Sequence, residues 1–435
     1  MKPFDTDPRL PVMQEADLKG KIVLLRVDHN VVKKGKIQDP YRIDATIGTL
    51  FSIIDKGGRP ILMTHVGRPR DKKSGKIAID SATAVKPVAD YLERKLNIRV
   101  AQPDIPVEGE TGLSGLGPSV AAAIEDLRAG RVSMVYLPNT RWFEGEEKKG
   151  EVREAFAKEL AKIADLYIND AFGSWQAHAS TVDVTRHLPS YAGMLMQKEL
   201  VSLNQVMTPQ KPFVGIVAGS KYDTKIGPVS ALYNKADHLI LGGVLYNTYL
   251  CAKYGIQVKG VEPSDVALAE ELVALDKDKG KLVEFPYVVE SDILDQRVEG
   301  RYRKVDVRRF KKGDSFGYFL DIHPDSFDQP DVREIMLSAD TIFLNAVMGF
   351  RPNFYEGSEA FYRIVCENKK AHKYFGGGDT LQEFKALNPG LYLKALEDEN
   401  TYFFTGGGAV LKAIEEGSPY GLDSVKALLD NKKTR

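Results

Sequence analysis

The chain has 435 residues, with 60 Lys+Arg against 60 Asp+Glu, 43% hydrophobic and 28% charged residues. That length exceeds one ordinary core and predicts two domains, while zero net charge argues against a nucleic-acid partner. Only two cysteines occur, Cys251 and Cys366, which argues against a disulfide framework or a Cys-based metal site. With no apolar signal core at the amino terminus and no apolar run of membrane-spanning length, the expectation is a cytoplasmic protein that engages no membrane.

Two short apolar runs, 22–25 in KIVLLRVDHN and 61–63 in RPILMTHVGRPR, predict buried parallel strands. Charge begins where each run stops: Arg26, Asp28 and Asn30 after the first, His65 and Arg68 after the second. Ligands of open α/β sheets gather outside the carboxyl ends of strands, so these ends predict a cup for a small anion. Gly67 permits close backbone approach there. Arg42 opens an apolar-periodic run (Ile43, Ile47, Leu50, Ile54) that predicts the crossover helix. The same charges could be solvated loop ends; two strand ends of one character favour the anion site.

Strand-like and helix-like patterns then alternate, the signature of α/β architecture. The expected elements are a helix over 83–95, a strand over 98–101, a loop over 103–118 and a helix over 120–129. A strand over 133–137, a polar loop over 138–149, a helix over 151–164 and a strand over 166–169 follow. A Leu/Met/Val-rich helix over 194–207 runs into TPQKP, where the domain junction is expected. The second half restarts with a strand over 213–218, the segment GSKYDTK, a helix over 229–235, a strand over 238–241, and helices over 245–253 and 266–275. Strands over 281–289, 305–307 and 317–320 imply some antiparallel pairing. A strand over 341–344, helices over 358–368 and 381–387, and a strand over 401–404 complete the pattern.

Three glycine turns, FGGGDT, TGGGAV and the pair Gly242 and Gly243, each follow a strand and precede a helix. Glycines in that place let backbone N–H groups face a phosphate, and the helix amino end adds a favourable field. Three in one half point to a nucleotide crevice. Asp379, directly after one of them, suits a Mg²⁺ ion carried by phosphates and suits a helix N-cap equally well. No GxxxxGK[ST] or GxGxxG is present, which argues against a Walker-type NTPase and a dinucleotide enzyme. Lys221 and Lys225, four apart after a strand end, could aim two ammonium groups into one cleft. With an anion cup in one half and a nucleotide crevice in the other, phosphoryl transfer is the better account, since it needs positioning and cations more than covalent chemistry.

The ordered segments RVDHN, YRIDA, THVGRP, NTRWFEGEEKKG, INDAFGSWQAHAST, LPSYAGMLMQKEL, FVGIVAGSKYDTKI, FGGGDT and TGGGA resemble phosphoglycerate kinase, over a stretch from about residue 18 to the end. The resemblance implies two Rossmann-like α/β lobes, each a mainly parallel sheet flanked by helices. A triose-phosphate lobe would span 1–195, a hinge helix 196–211, a nucleotide lobe 212–415 and a returning tail 416–435. It implies a monomer that transfers a phosphoryl group reversibly between ATP and the carboxylate of 3-phosphoglycerate, with Mg²⁺, in glycolysis and gluconeogenesis. Asp28, Asn30, Arg42, His65, Arg68 and Arg141 would bind the triose. Gly219, Lys221, Lys225, Gly243, Asn345, Gly376, Gly377, Gly378, Asp379 and Thr380 would bind Mg-nucleotide. Arg42 and Lys225, assisted by Lys221, would stabilise the transferring group.

Several segments depart from the family pattern. GSWQAHAS carries Trp175 and Gln176 where an additional arginine is usual; Val244, Ala346, Val347 and Pro352 stand around the expected base and sugar; DIHPDS replaces a DIGPKT-like segment. The phosphate-facing glycines, both lysines and Asp379 remain. Two expectations follow: an active phosphoglycerate kinase with a changed nucleoside pocket, or a paralogue with another acid substrate or a binding or regulatory role.

Overall fold

The apolar run after Lys21 folds as β1 (Ile22–Val27), all six residues of which are buried. It pairs in parallel with β2 (Arg59–Met63) on one side and, on the other, with a strand at Leu166–Asp170. In this computed structural model, which describes residues 8–107, 109–219 and 225–433, the chain divides into two compact units. One runs to Val201 and resumes at Tyr420; the other is Ser202–Pro419.

Apart from a separate antiparallel hairpin of Val32–Lys33 with Lys36–Ile37, the main sheet of the first unit is wholly parallel. Naming its further strands β3 (Val100–Ala101), β4 (Met134–Tyr136), β5 (Leu166–Asp170) and β6 (Ser190–Ala192), its order is β3-β4-β2-β1-β5-β6. Strands covered on both faces can be uniformly apolar, as 22–25 are, because crossover helices shield each side. The expected crossover helix is broken in two: α1 (Tyr41–Ala45) ends at Thr46 and α2 (Ile47–Asp55) begins after it. The helix expected from residue 83 starts only at Lys86, with Pro87 in its first turn, where a missing N–H costs nothing. The edge strand β6 escaped the sequence reading, because three residues between Pro189 and Gly193 give no periodicity.

Helix α3 (Met194–Met207) leads into the second unit. There β7 (Phe213–Gly219) and β8 (His238–Gly242) begin a second parallel sheet. The region expected to hold mixed pairing forms a separate antiparallel sheet, in which β9 (Tyr287–Ser291) lies between β10 (Tyr302–Asp306) and β11 (Tyr318–Ile322). Only the end of 281–289 is strand. The basic stretch 301–312 begins on this sheet, and several of its charges are paired: Arg301 and Arg303 to Asp292, Lys304 to Asp325, Arg308 to Asp306. The main sheet then continues with β12 (Thr341–Asn345), β13 (His372–Gly376) and β14 (Thr401–Phe404), in the order β8-β7-β12-β13-β14. Helices at Pro330–Ser338 and Pro389–Glu397 were not anticipated.

Each glycine turn does join a strand to a helix: β8 to α4 (Gly243–Tyr254), β13 to α5 (Gly378–Leu387) and β14 to α6 (Gly407–Glu416). Aromatic packing fixes the second of these, since Phe384 of α5 stacks on Phe375 of β13 at 5.2 Å and 4°. The last helix, α7 (Asp423–Lys433), belongs to the first unit. The Ser424 N–H donates to Trp175 O at 3.1 Å, and Asn431 bonds the Ser190 N–H and Leu188 O.

Candidate active site

In the first unit the polar residues that end β1 and β2 meet. Asp28, almost wholly buried, receives the Arg42 guanidinium of α1 at 3.3 Å on Oδ2. Its Oδ1 is buried and, among the described residues, has no hydrogen-bond partner. An unpaired buried carboxylate oxygen is costly unless a ligand supplies a donor. Asn30 accepts the Gly67 N–H at 2.9 Å, and Arg141 donates to the Gly67 carbonyl at 2.6 Å. Gly67 holds a φ of +64° between them, a turn that few side chains tolerate.

His65 is fixed from behind. The fully buried Arg26 donates through Nη2 to His65 Nδ1 at 3.1 Å, through Nε to Ser180 Oγ at 2.9 Å, and to the Val27 carbonyl. Ser180 in turn donates to the buried Glu146 at 2.6 Å. A guanidinium can only donate, so His65 Nδ1 must be the bare nitrogen and Nε2 carries the proton. Burial first, then Arg26, Arg141, His178 and Arg42, hold the imidazole pKa well below its usual value. His65 therefore stands as a neutral donor. Arg141 is half-buried, with burial lowering its pKa against the pull of Glu147 and Glu146. Asn139 anchors it, accepting the Arg141 N–H at 3.0 Å and binding Val66 and Thr83. Arg68 is exposed at the rim. Five of the six predicted triose residues thus share one cluster with Arg68 beside it in sequence. Asn139 and Glu146, which the sequence reading did not place in the site, support that cluster from below; Arg26, expected among the charges of the anion cup, is instead fully buried behind it and committed to His65, Ser180 and Val27. The segment that lacks the extra arginine contributes Ser174, whose Oγ stands 3.4 Å from His65 Nδ1.

In the second unit two of the glycine turns, at 376–378 and 406–408, meet at Asn345, the end of β12. Lys225 Nζ donates to Asn345 Oδ1 at 3.1 Å, and Asn345 Nδ2 donates to the Gly376 carbonyl at 2.6 Å. Burial lowers the Lys225 pKa, opposed by the nearby Asp379 carboxylate. Gly219 and Gly243 form a backbone bridge, and Gly377 takes a φ of +108°. A Cβ on Gly407 would lie 2.5 Å from the backbone of Gly377, so only glycine fits where the two turns abut. Gly378 and the exposed Asp379 open α5. Thr380 is buried, its hydroxyl donating to Gly376 O and accepting from the Ala346 N–H, both at 3.1 Å. Lys221 lies outside the described residues. Among those described, no group of three metal-ligating side chains occurs. The donor set is one exposed carboxylate at a helix amino end, which fits Mg²⁺ delivered with phosphates and not a metal held in a protein cage.

Glycines at three helix starts, beside a half-buried lysine, are an arrangement that suits a phosphate. The family model for phosphoglycerate kinase matches residues 13–417.

The chain belongs to the phosphoglycerate kinase family.

The phosphoglycerate kinase of Dictyoglomus turgidum is 34% identical over 410 residues, 93% of this chain and 95% of that protein. That of Rubrobacter xylanophilus is 35% identical over 409 residues, with the same coverage. The solved phosphoglycerate kinase of Coxiella burnetii matches at a TM-score of 0.74 and 26% identity, over 98% of this chain and 100% of that one. As a phosphoglycerate kinase the chain is a phosphotransferase with a nucleotide among its substrates and a two-lobed α/β fold. No helix among the described residues is long and apolar enough to cross a membrane.

Proposed function

We propose that this chain transfers the γ-phosphoryl group of Mg·ATP reversibly to the carboxylate of 3-phosphoglycerate, forming 1,3-bisphosphoglycerate and ADP. The observation that carries the reading is Lys225, held by Asn345 at 3.1 Å beside the glycine turn at 376–378. A cation fixed there lies where charge accumulates on a transferring phosphoryl group. The acid would occupy the first unit. Its carboxylate is already ionised at neutral pH, so no general base is required. The unpartnered Oδ1 of Asp28 would accept the substrate hydroxyl, His65 Nε2–H would donate, and Arg42, Arg68 and Arg141 would hold the anionic groups.

In the second unit the backbone amides at Gly376, Gly377 and Gly378, with Gly219 and Gly243, would cradle the polyphosphate, and Lys221 would assist Lys225. Asp379 would hold the metal, which when bound would neutralise phosphate charge. Thr380 would act by fixing the Gly376 carbonyl and the Ala346 amide. The reaction requires the two substrates to meet, so closure about a hinge at 196–211 is part of the proposal.

Most of the departures from the family pattern fall where the base and sugar are expected. The test is therefore a coupled assay of 3-phosphoglycerate against ATP, GTP and other triphosphates. The proposal expects turnover with ATP. Turnover with none of them would favour a binding or regulatory paralogue.

A further inference from the structure

His29 is fully buried between Asp28 and Asn30, and none of the roles above uses its ring. The ring nevertheless has a determined hydrogen-bond pattern. Thr46 Oγ1 donates its single proton to the Ile43 carbonyl at 2.8 Å. The 2.9 Å contact between His29 Nε2 and Thr46 Oγ1 must therefore run from the imidazole N–H to the hydroxyl oxygen. Nδ1 is then the acceptor and takes the Tyr136 O–H at 2.9 Å. Burial and the neighbouring Arg26 push the His29 pKa down to about 3, which keeps this neutral arrangement at every working pH. The backbone N–H of His29 donates to Thr64 Oγ1 at 2.9 Å, directly before His65.

One residue so joins the ends of β1 and β2, the end of β4 and the break between α1 and α2. That break matters because Arg42 and Thr46 are four residues apart in helical conformation and lie on one face. Whatever fixes Thr46 also fixes the rotation of the turn that presents Arg42 to Asp28.

We propose that His29 is a positioning residue of the triose-phosphate site, acting through Thr46 to hold the Arg42 turn against the ends of β1 and β2. This rests on the reading that Arg42 binds the acid substrate. A purely structural role would make the Thr46 and Tyr136 bonds equivalent; the proposal makes the first dominant.

Two variants separate them. His29→Gln places an amide nitrogen near the Nε2 position and keeps the donor to Thr46. His29→Asn places an amide oxygen near Nδ1 and keeps only the Tyr136 bond. In the coupled assay, His29→Asn should raise the KM for 3-phosphoglycerate about tenfold or more, as expected when a binding cation is misplaced, with the KM for ATP moving less than about twofold. His29→Gln should shift the phosphoglycerate KM by less than about threefold, since its anchoring bond survives. Thr46→Val should reproduce His29→Asn and Tyr136→Phe should reproduce His29→Gln, so the comparison stands even if one His29 variant fails to fold. Equal effects of Asn and Gln, or of Val and Phe, would overturn the proposal, as would equal rises in both KM values. Arg42→Ala in the same assay distinguishes the levels. An unchanged phosphoglycerate KM in that variant removes the underlying reading; a raised one with Asn and Gln alike removes only this inference.

Discussion

The Arg26 guanidinium donates to His65 Nδ1 across 3.1 Å, and this one contact decides which imidazole nitrogen faces a ligand. Because Arg26 is wholly buried and has no acceptor to offer, His65 can present only Nε2–H. Its pKa lies well below the usual value, so the ring stays neutral through the physiological range. Phosphoglycerate binding should then show no gain as pH falls from about 8 to 6, the range over which an unperturbed histidine would acquire charge. A plot of KM for 3-phosphoglycerate against pH checks this, and a KM that drops severalfold toward pH 6 would contradict it. His65→Gln, which retains a donor near Nε2, should bind the acid better than His65→Ala.

Lys225→Ala should lower kcat by about 10²-fold or more, the usual consequence of deleting a group that stabilises transition-state charge. Binding of 3-phosphoglycerate, measured by calorimetry without nucleotide, should be unchanged, since Lys225 belongs to the second unit. Loss of acid binding in this variant would show that its role is structural.

Gly407→Ala should damage nucleotide binding although residue 407 need not touch the ligand. The added methyl would meet the Gly377 backbone, which cannot turn aside, at 2.5 Å, and Asn345 Nδ2, a side-chain atom already bonded to the Gly376 carbonyl, at 2.7 Å. Displacing that turn by a fraction of an ångström should raise the KM for ATP by roughly tenfold or more, while the KM for phosphoglycerate holds. Gly408→Ala, where nothing lies within 4 Å, is the matched control.

A buried acidic pair should give the second unit an opposite pH response from that of its surface ion pairs. Burial pushes Asp321 up to about 8 and Glu383 up to about 7. Glu383 accepts from Tyr362 at 3.0 Å and from Ser358 at 3.2 Å. Both groups hold protons in the fold that the unfolded chain releases near pH 4. Their contribution to stability is therefore full below about pH 4 and is lost as pH rises through about 7 to 8. Glu383→Gln carries no such group, so its Tm relative to wild type should climb between pH 5 and 8. A constant or falling difference would contradict the assignment.

Much of the site was legible because its residues end strands. Asp28, Asn30 and His65 announce themselves by polarity directly after apolar runs, and in an α/β sheet that position is where ligands gather. The glycine turns were legible for a similar reason, since backbone exposure at a helix start has few other uses. His29 carried no such signal, and Arg26, which stands out as a charge at a strand end, gave no sign that it turns inward and not toward a ligand. A histidine or arginine committed to internal hydrogen bonds shares its local sequence with a solvated one, and its partners Tyr136, Thr46 and Ser180 lie on other elements. The break at Thr46 was equally hidden, because an apolar period runs through it unbroken. The edge strand β6 is too short for any period to register.

The central claim is that a carboxylate is phosphorylated, and an acyl phosphate can be trapped. Incubating the chain with ATP, Mg²⁺, 3-phosphoglycerate and hydroxylamine should yield the hydroxamate, at a rate lowered about 10²-fold or more in Lys225→Ala. If ATP is consumed without hydroxamate, or no hydroxamate forms with any nucleoside triphosphate, the account is wrong.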